Sequence, residues 1–276
     1  MKVSVVVITR DAEFYIKDLL DSLIAQASKP YEIIVTDAES RDKTMEIVKD
    51  YTEKHDFIRL YTKPGTRAVG RNFGVSKTNG DIVAFIDADC IANAFWVSEI
   101  EKSMENVDVV AGKTIKFGFG GFSNLPRVGM QHKNTDVTYP SCNLAYRKDI
   151  FERIGGFDPW FKEAEELDLN YRAVDTGYSL MYNENAVVYH RARETFIGFL
   201  KQSFWYGFGR KELTLRHGSL WSKYSPIEMV RVSKSESIWK LIRLGIAFFG
   251  YIFCKLVGKK QGLKEKMRKS KISGRE

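Results

Sequence analysis

Cysteine is scarce. Cys90, Cys142 and Cys254 are three in 276 residues, odd in number, far apart and without CxxC spacing. This argues against a disulfide framework and a cysteine-based zinc site, and fits a reducing, cytosolic environment. Six prolines and 21 glycines are too few for a low-complexity linker protein or a collagen-like chain. No internal period points to a solenoid, and the repeated apolar runs of a polytopic membrane protein are absent. Neither the GxGxxG turn that cradles a dinucleotide nor a GxxxxGK[ST] phosphate loop occurs, which disfavours a conventional NAD dehydrogenase or P-loop NTPase. What is present is ordinary for a globular chain: 44% hydrophobic and 28% charged residues, at the length of one large α/β domain.

The net charge of +8 is not spread evenly. From Lys255 to Glu276 there are nine Lys or Arg against two acids, a net +7 that leaves +1 for residues 1–254. A basic tail of this kind binds nucleic acid, aids solubility or sits on anionic lipid. The preceding segment Ile238–Val257 favours lipid over nucleic acid. Its uncharged stretch Leu244–Cys254 is 11 residues, about half of the ~20 that span a bilayer. On a helical wheel Lys240, Arg243 and Lys255 fall together and the aliphatic and aromatic residues elsewhere. This predicts a helix lying in the membrane interface with its cations snorkelling to the headgroups; the alternative is a core helix of the globular domain. Met1-Lys2 runs straight into a strand-like segment with no signal peptide pattern. The expected location is therefore the cytoplasmic face of the cell membrane, peripheral or through a single C-terminal membrane segment.

The first 90 residues alternate strand and helix signals. Val3–Ile8, Glu32–Thr36, Ile58–Tyr61 and Ile82–Ile86 read as buried strands. Between them lie a helix capped by Asp11 with Phe14, Ile16, Leu19, Leu20, Leu23 and Ile24 as its apolar positions, a second from about Asp42 to Lys54, and a third from about Arg67 to Ser76. Such alternation predicts an α/β, Rossmann-like fold with a mostly parallel central sheet and ligands at the carboxyl ends of the strands. Those ends carry Thr9 and Asp11, then Asp37, then Asp87-Ala-Asp89. Carboxylates there suit a nucleobase edge, ribose hydroxyls and a divalent cation on a diphosphate. An isolated Asp-x-Asp is weak evidence; its place at the end of a buried strand gives it weight. Arg67 and Arg71 stand four apart on one helix face beside Asn72 and Gly74.

In order and spacing these motifs resemble family 2 glycosyltransferases of the GT-A fold. Ile33-Ile-Val-Thr-Asp37-Ala-Glu-Ser40-Arg-Asp42-Lys-Thr44 resembles the segment whose first Asp holds the nucleobase. Arg71-Asn-Phe-Gly74 and Gly80-Asp-Ile-Val-Ala-Phe-Ile-Asp87-Ala-Asp89 resemble the run into the metal-binding Asp-x-Asp. Asn143-Leu-Ala-Tyr-Arg147, Gly155-Gly-Phe-Asp158 and Glu165-Glu-Leu-Asp168, ending at Arg172, resemble the acceptor-side block. The likeness covers about residues 3–210. Ala38 and Glu39 depart from the usual Asp-Asp-Gly-Ser turn, Glu166 stands where the base is more often Asp, and Gln202-Ser-Phe-Trp205-Tyr206 differs from the Gln-x-x-Arg-Trp of processive synthases.

The resemblance implies transfer of one sugar from a nucleoside-diphosphate sugar, with inversion, to a lipid-linked or glycan acceptor. Thr9, Asp11, Asp37, Arg67, Arg71, Asn72, Asp87 and Asp89 are the expected nucleotide-sugar-binding residues. Asp87, Asp89 and His190, which follows the apolar strand Ala186–Tyr189, are the expected ligands of Mg²⁺ or Mn²⁺. Arg191 and Arg193 are further candidates for phosphate contact. Glu166 is the expected base, with Asp168 in reserve, on a helix starting near Glu163. Asn143, Glu165, Trp205 and Tyr206 are expected on the acceptor side, and Gly118–Phe122 as a lid. The chain divides into a nucleotide-sugar half (1–92), an acceptor half of the same domain (93–194), an aromatic helical extension (195–235), the membrane helix (236–258) and a basic tail (259–276). The competing reading is a sugar nucleotidyltransferase or a non-catalytic nucleotide-sugar-binding protein at the membrane.

Overall fold

Residues that alternate between two apolar layers build the centre of the protein. In Val3–Thr9 (β1), Val5 and Val7 enter one core cluster and Val6 the other; in Ile82–Asp87 (β4), Ala84 and Ile86 face one way and Val83 and Phe85 the opposite. Strands buried on both faces belong inside a sheet covered by helices on each side. β1 pairs in parallel with Glu32–Asp37 (β2) and with β4, and β2 pairs in parallel with Ile58–Thr62 (β3). Six further strands lie among the described residues: Cys90–Ala92 (β5), Val109–Phe117 (β6), the short pair Gln131–His132 (β7) and Thr135–Asp136 (β8), Leu144–Arg147 (β9), and Leu180–Arg191 (β10). The eight-stranded sheet runs β3-β2-β1-β4-β9-β6-β10-β5, with β9 and β5 antiparallel to their neighbours.

This computed structural model describes residues 1–118, 125, 128–191, 195–218 and 238–273, with side chains to Val257. Met1–Phe119 and Val128–Ala192 form one compact unit; Gly120–Arg127 and Arg193–Glu276 form a second. The two halves expected from the sequence, 1–92 and 93–194, share one sheet, because β4 from the first pairs with β9 from the second. Most of the expected lid, the stretch 219–237 and the side chains of the basic tail lie outside the described residues.

Helices of the first unit are Ile16–Ile24 (α1), Thr44–Lys54 (α2), Arg67–Ser76 (α3), Trp96–Ser103 (α4), Lys148–Arg153 (α5) and Glu165–Asp175 (α6). Two sequence expectations need correction here. Asp11 does not cap α1: its φ is +49° and its carboxylate accepts the Arg41 amide, while the helix begins five residues later. Phe14 lies in that intervening loop and is 79% exposed instead of packed.

The second unit contains Phe196–His217 (α7) and Ile238–Ser273 (α8). These helices pack backbone to backbone at glycines. A Cβ on Gly207 would lie 1.7 Å from the Ala247 carbonyl oxygen, and one on Gly250 would lie 2.0 Å from that of Phe204. The face of α8 turned into this contact also carries Cys254 and Lys240, both buried, while Arg243 donates to the Leu125 carbonyl. Burial lowers the Arg243 pKa. The expected orientation is therefore reversed for two of the three cations: Lys240 and Arg243 are on the packed side, and only Lys255 is exposed. The opposite half of the wheel presents Ile238, Leu241, Phe248, Phe249 and Leu256, each more than half exposed. Among the described residues no helix is long and apolar enough to cross a membrane.

Gly207→Val should force α7 and α8 apart, because its side chain would meet backbone that cannot rotate away. The expected cost is about 1–3 kcal/mol, read as a lower thermal midpoint with loss of helical signal. A midpoint equal to the parent's would show that glycine contact does not hold this pair together.

Candidate active site

Strand register assembles residues expected on the donor side. Thr9 at the end of β1 is opposite Asp37 at the end of β2, and Ile8 is opposite Asp87 at the end of β4. The carboxyl edge of three adjacent strands thus carries Asp37, Thr9 and Asp87 side by side. The Thr9 hydroxyl is buried there without a hydrogen-bond partner. Such an orphan costs about 1–3 kcal/mol unless a ligand satisfies it.

Ser40 knits the first two turns together. Its hydroxyl bonds Asp37 Oδ2 at 2.5 Å and accepts the Asp11 amide at 2.9 Å, while its own amide donates to Asp37 Oδ1 at 2.8 Å. Asp11 in turn accepts the Arg41 amide at 2.8 Å. Glu39, in the place of the usual glycine, holds φ +60°, which explains why that turn favours glycine and why Glu39 is strained there. The role of Ser40 as a bridge was not visible in sequence, although it sits inside the quoted motif.

Arg71 joins the acid at the end of β4 to the start of α6. It is 2% exposed, with one guanidinium nitrogen 2.9 Å from Asp87 Oδ1 and another 2.8 Å from Glu165 Oε1. The Phe157 ring stacks on it at 5.3 Å. Its charge is fully used in holding these two acids, so it is a positioning residue and not a free phosphate ligand. Arg67, half-exposed, pairs with Glu163 and approaches Glu165 at 3.4 Å.

The acidic start of α6 separates into distinct roles. Glu165 and Asp168 share the buried face, and Asp168 is bound by Arg172 at 2.7 Å. Arg172 also donates to the carbonyls of Ile154 and Gly156. Asp168 thus anchors a loop and is unsuited to the reserve role as base. Glu166 is half-buried. Burial, followed by repulsion from Glu165, raises its pKa to about 8 despite Arg67 and Arg71 nearby. A carboxyl tuned this high is the kind of group that takes a proton near neutral pH.

Two expected ligand contacts prove to be structural. Asn72 brackets Phe157, donating to its carbonyl at 2.7 Å and accepting its amide at 2.9 Å, which fixes the Gly155–Asp158 loop. Asn143 is 1% exposed; it accepts the Trp96 indole N–H at 2.8 Å and donates to the Lys113 and Ala186 carbonyls. The β6–β10 register breaks between Asn183 and Val187, which frees the Ala186 carbonyl for that amide. No acceptor can reach a side chain so enclosed. Trp205 and Tyr206 lie part-exposed on α7 in the second unit. Arg191 pairs with Asp18 and covers the Tyr15 and Phe117 rings, and Arg193 lies outside the described residues.

A family model for glycosyl transferase family 2 matches residues 4–166. The chain belongs to glycosyl transferase family 2. Relatives of this family 2 glycosyltransferase include a probable glycosyltransferase, YdaM, of Bacillus subtilis, 27% identical over 78% of this chain and 56% of that protein. Another is the glucosyl-dolichyl phosphate glucuronosyltransferase of Haloferax volcanii, 27% identical over 78% of each. The fold is shared with a mannosyltransferase of Pyrobaculum calidifontis in complex with GDP-Man and Mn²⁺, at a TM-score of 0.65, 17% identity, and coverage of 95% and 80%. It is also shared with S. aureus TarS in complex with UDP-GlcNAc, at a TM-score of 0.59, 23% identity, and coverage of 71% and 60%. The central sheet is that of the GT-A fold.

The donor set of this family 2 glycosyltransferase fits a divalent cation. His190 Nε2 and Asp89 Oδ1 are 3.2 Å apart, and with the Cys90 thiol their ligand atoms lie within 4.8 Å of one another. Burial lowers the His190 pKa, but the Asp89 hydrogen bond and the charges around it outweigh that and raise it to about 9. The described residues place Asp87 outside this cluster, drawn instead to Arg71.

Arg71→Ala should leave Asp87 without its cation and Glu165 with only the longer Arg67 contact, at a cost of about 3–5 kcal/mol. Chemical denaturation of the variant measures it, and a loss below ~1 kcal/mol would contradict the bridging role.

Proposed function

We propose that this chain transfers one sugar from a nucleoside-diphosphate sugar to a lipid-linked acceptor, with inversion at the anomeric carbon. The observation that carries this reading is the Arg71 bridge, which puts the helix bearing Glu166 one guanidinium away from the acid at the end of β4. Asp37 and the orphaned Thr9 hydroxyl are suited to the nucleoside. Glu166 takes the acceptor hydroxyl proton as that oxygen bonds to the anomeric carbon and the bond to the diphosphate breaks. Asp89 and His190 would hold Mg²⁺ or Mn²⁺, which when bound neutralises charge on the departing diphosphate. Direct attack by the acceptor, with no side chain in the role of nucleophile, is what produces inversion. The absence of Gln-x-x-Arg-Trp supports single addition over polymer synthesis. The Haloferax relative named for glucosyl-dolichyl phosphate supports a lipid-linked acceptor.

The exposed apolar half of α8 supports attachment to an anionic membrane surface on the cytoplasmic side. Isolated exposed apolar residues need no explanation, but a contiguous helix face does. The net +7 that follows adds about 1 kcal/mol per cation near an anionic leaflet. The apolar face meets the acyl boundary, and the cations at the C-terminal end meet the headgroups.

Two experiments test these readings. The proton acceptor must be ionised, so transfer to a hydroxyl acceptor should rise with pH through an apparent pKa of about 8 and fall away below it. Glu166→Gln should bind donor, lose at least ~100-fold in transfer and show no such profile; normal transfer would remove Glu166 as base. For the membrane, full-length protein should bind anionic vesicles, weaken as salt rises, and lose binding when residues 236–276 are deleted. Equal binding to neutral vesicles would defeat the electrostatic part.

A further inference from the structure

Cys90 is the one member of the cation cluster that the proposed transfer leaves without a role. It follows Asp89 directly and is the strand partner of His190 in the antiparallel β10–β5 pair. Directly opposed residues in such a pair project to the same face of the sheet, so the thiol stands beside the imidazole. The separation of Asp89 Oδ1 and His190 Nε2, 3.2 Å, is close to the ~3.3 Å between two ligands that each sit ~2.0 Å from a tetrahedral ion. The three ligand atoms span no more than 4.8 Å, so closing on one ion requires the thiol to move by about 1 Å. A second buried thiol, Cys142, neighbours Cys90, and Thr114 Oγ1 lies 4.0 Å from the Cys142 sulfur.

We propose that Cys90 converts the cation site into a carboxylate–thiolate–imidazole site that takes Zn²⁺, with Cys142 supporting the sulfur from behind. The inference rests on Asp89 and His190 being the cation ligands. Mg²⁺ and Mn²⁺ favour oxygen donors, whereas a thiolate with an imidazole selects Zn²⁺ or Co²⁺. On binding, the Cys90 S–H bond is replaced by a sulfur–metal bond and its proton leaves to solvent. The neighbouring Cys142 then supplies an S–H to the anionic sulfur; such outer groups orient and tune a ligand. Three protein ligands leave a fourth position open, as in reactive zinc sites and unlike closed structural ones. Zn²⁺ and Mn²⁺ would then compete for the same place, with Zn²⁺ the tighter of the two.

Co²⁺ is the spectroscopic probe, because a thiolate ligand produces a charge-transfer band in the near ultraviolet that oxygen and nitrogen ligands do not. Full-length protein titrated with Co²⁺ should develop this band at one equivalent, and Zn²⁺ should remove it. Cys90→Ser should abolish the band and weaken Zn²⁺ binding, measured calorimetrically, by on the order of 100-fold, while Mn²⁺ binding changes little. Cys142→Ser should keep the band but weaken Zn²⁺ by about 10-fold, and Cys254→Ser should match the parent. A parent without the band, or one whose band survives Cys90→Ser, overturns the thiolate site. Should Cys90→Ser fail to fold, the band in the parent and its displacement by Zn²⁺ still decide the question. Asp89→Ala separates the two readings: if it retains full Mn²⁺ and Zn²⁺ binding, the cation site itself is misplaced, whereas loss of Mn²⁺ binding together with a silent Cys90 leaves that site standing and removes only the thiolate.

Discussion

A buried guanidinium organises the candidate active site. Arg71 is almost fully enclosed and lies between Asp87 and Glu165, two acids that would repel each other without it. A cation placed so deep is costly to desolvate and is retained only where partners satisfy it. The partners here come from β4 and α6, 78 positions apart in the chain, so the bridge couples the end of the parallel strands to the acidic start of α6. It also leaves Glu165 occupied and Glu166 beside it with a raised pKa, which separates the roles of two adjacent identical residues.

Around this bridge the loops of the site are tied to one another. Ser40 links the turns after β1 and β2, Asn72 clamps the Phe157 backbone, and Arg172 draws Asp168 onto two loop carbonyls. Strand ends at fixed register then present Asp37, Thr9 and Asp87 in a row. Loops on a sheet edge usually carry function at the expense of order; here polar side chains supply the missing order.

The second unit obeys a different rule. Where α7 and α8 meet, glycine removes side chains, Lys240 and Arg243 lie on the packed side and the Phe204 and Phe208 rings meet Phe253, while Ile238, Leu241, Phe248, Phe249 and Leu256 face outward. An amphipathic helix in water does the reverse.

Hydrophobic period and chain order were sufficient to read the parallel strands of the first 90 residues, helix Arg67–Ser76, the acids at the strand ends and the family. These are local signals: a buried strand announces itself by its run of branched residues, and Asp87-Ala-Asp89 by its place after one. Tertiary structure alone decided which polar residues are free. Asn72, Asn143 and Asp168 carry the right chemistry for a ligand, but backbone groups brought near by distant segments consume the two amides, and the Arg172 side chain one turn along α6 holds Asp168. The reversal of α8 was hidden for a related reason. A helical wheel separates two faces from sequence, but which face is turned inward depends on what packs there. The meeting of Cys90 with His190, 100 residues away, depends on the β10–β5 pairing, which no spacing rule for cysteines encodes.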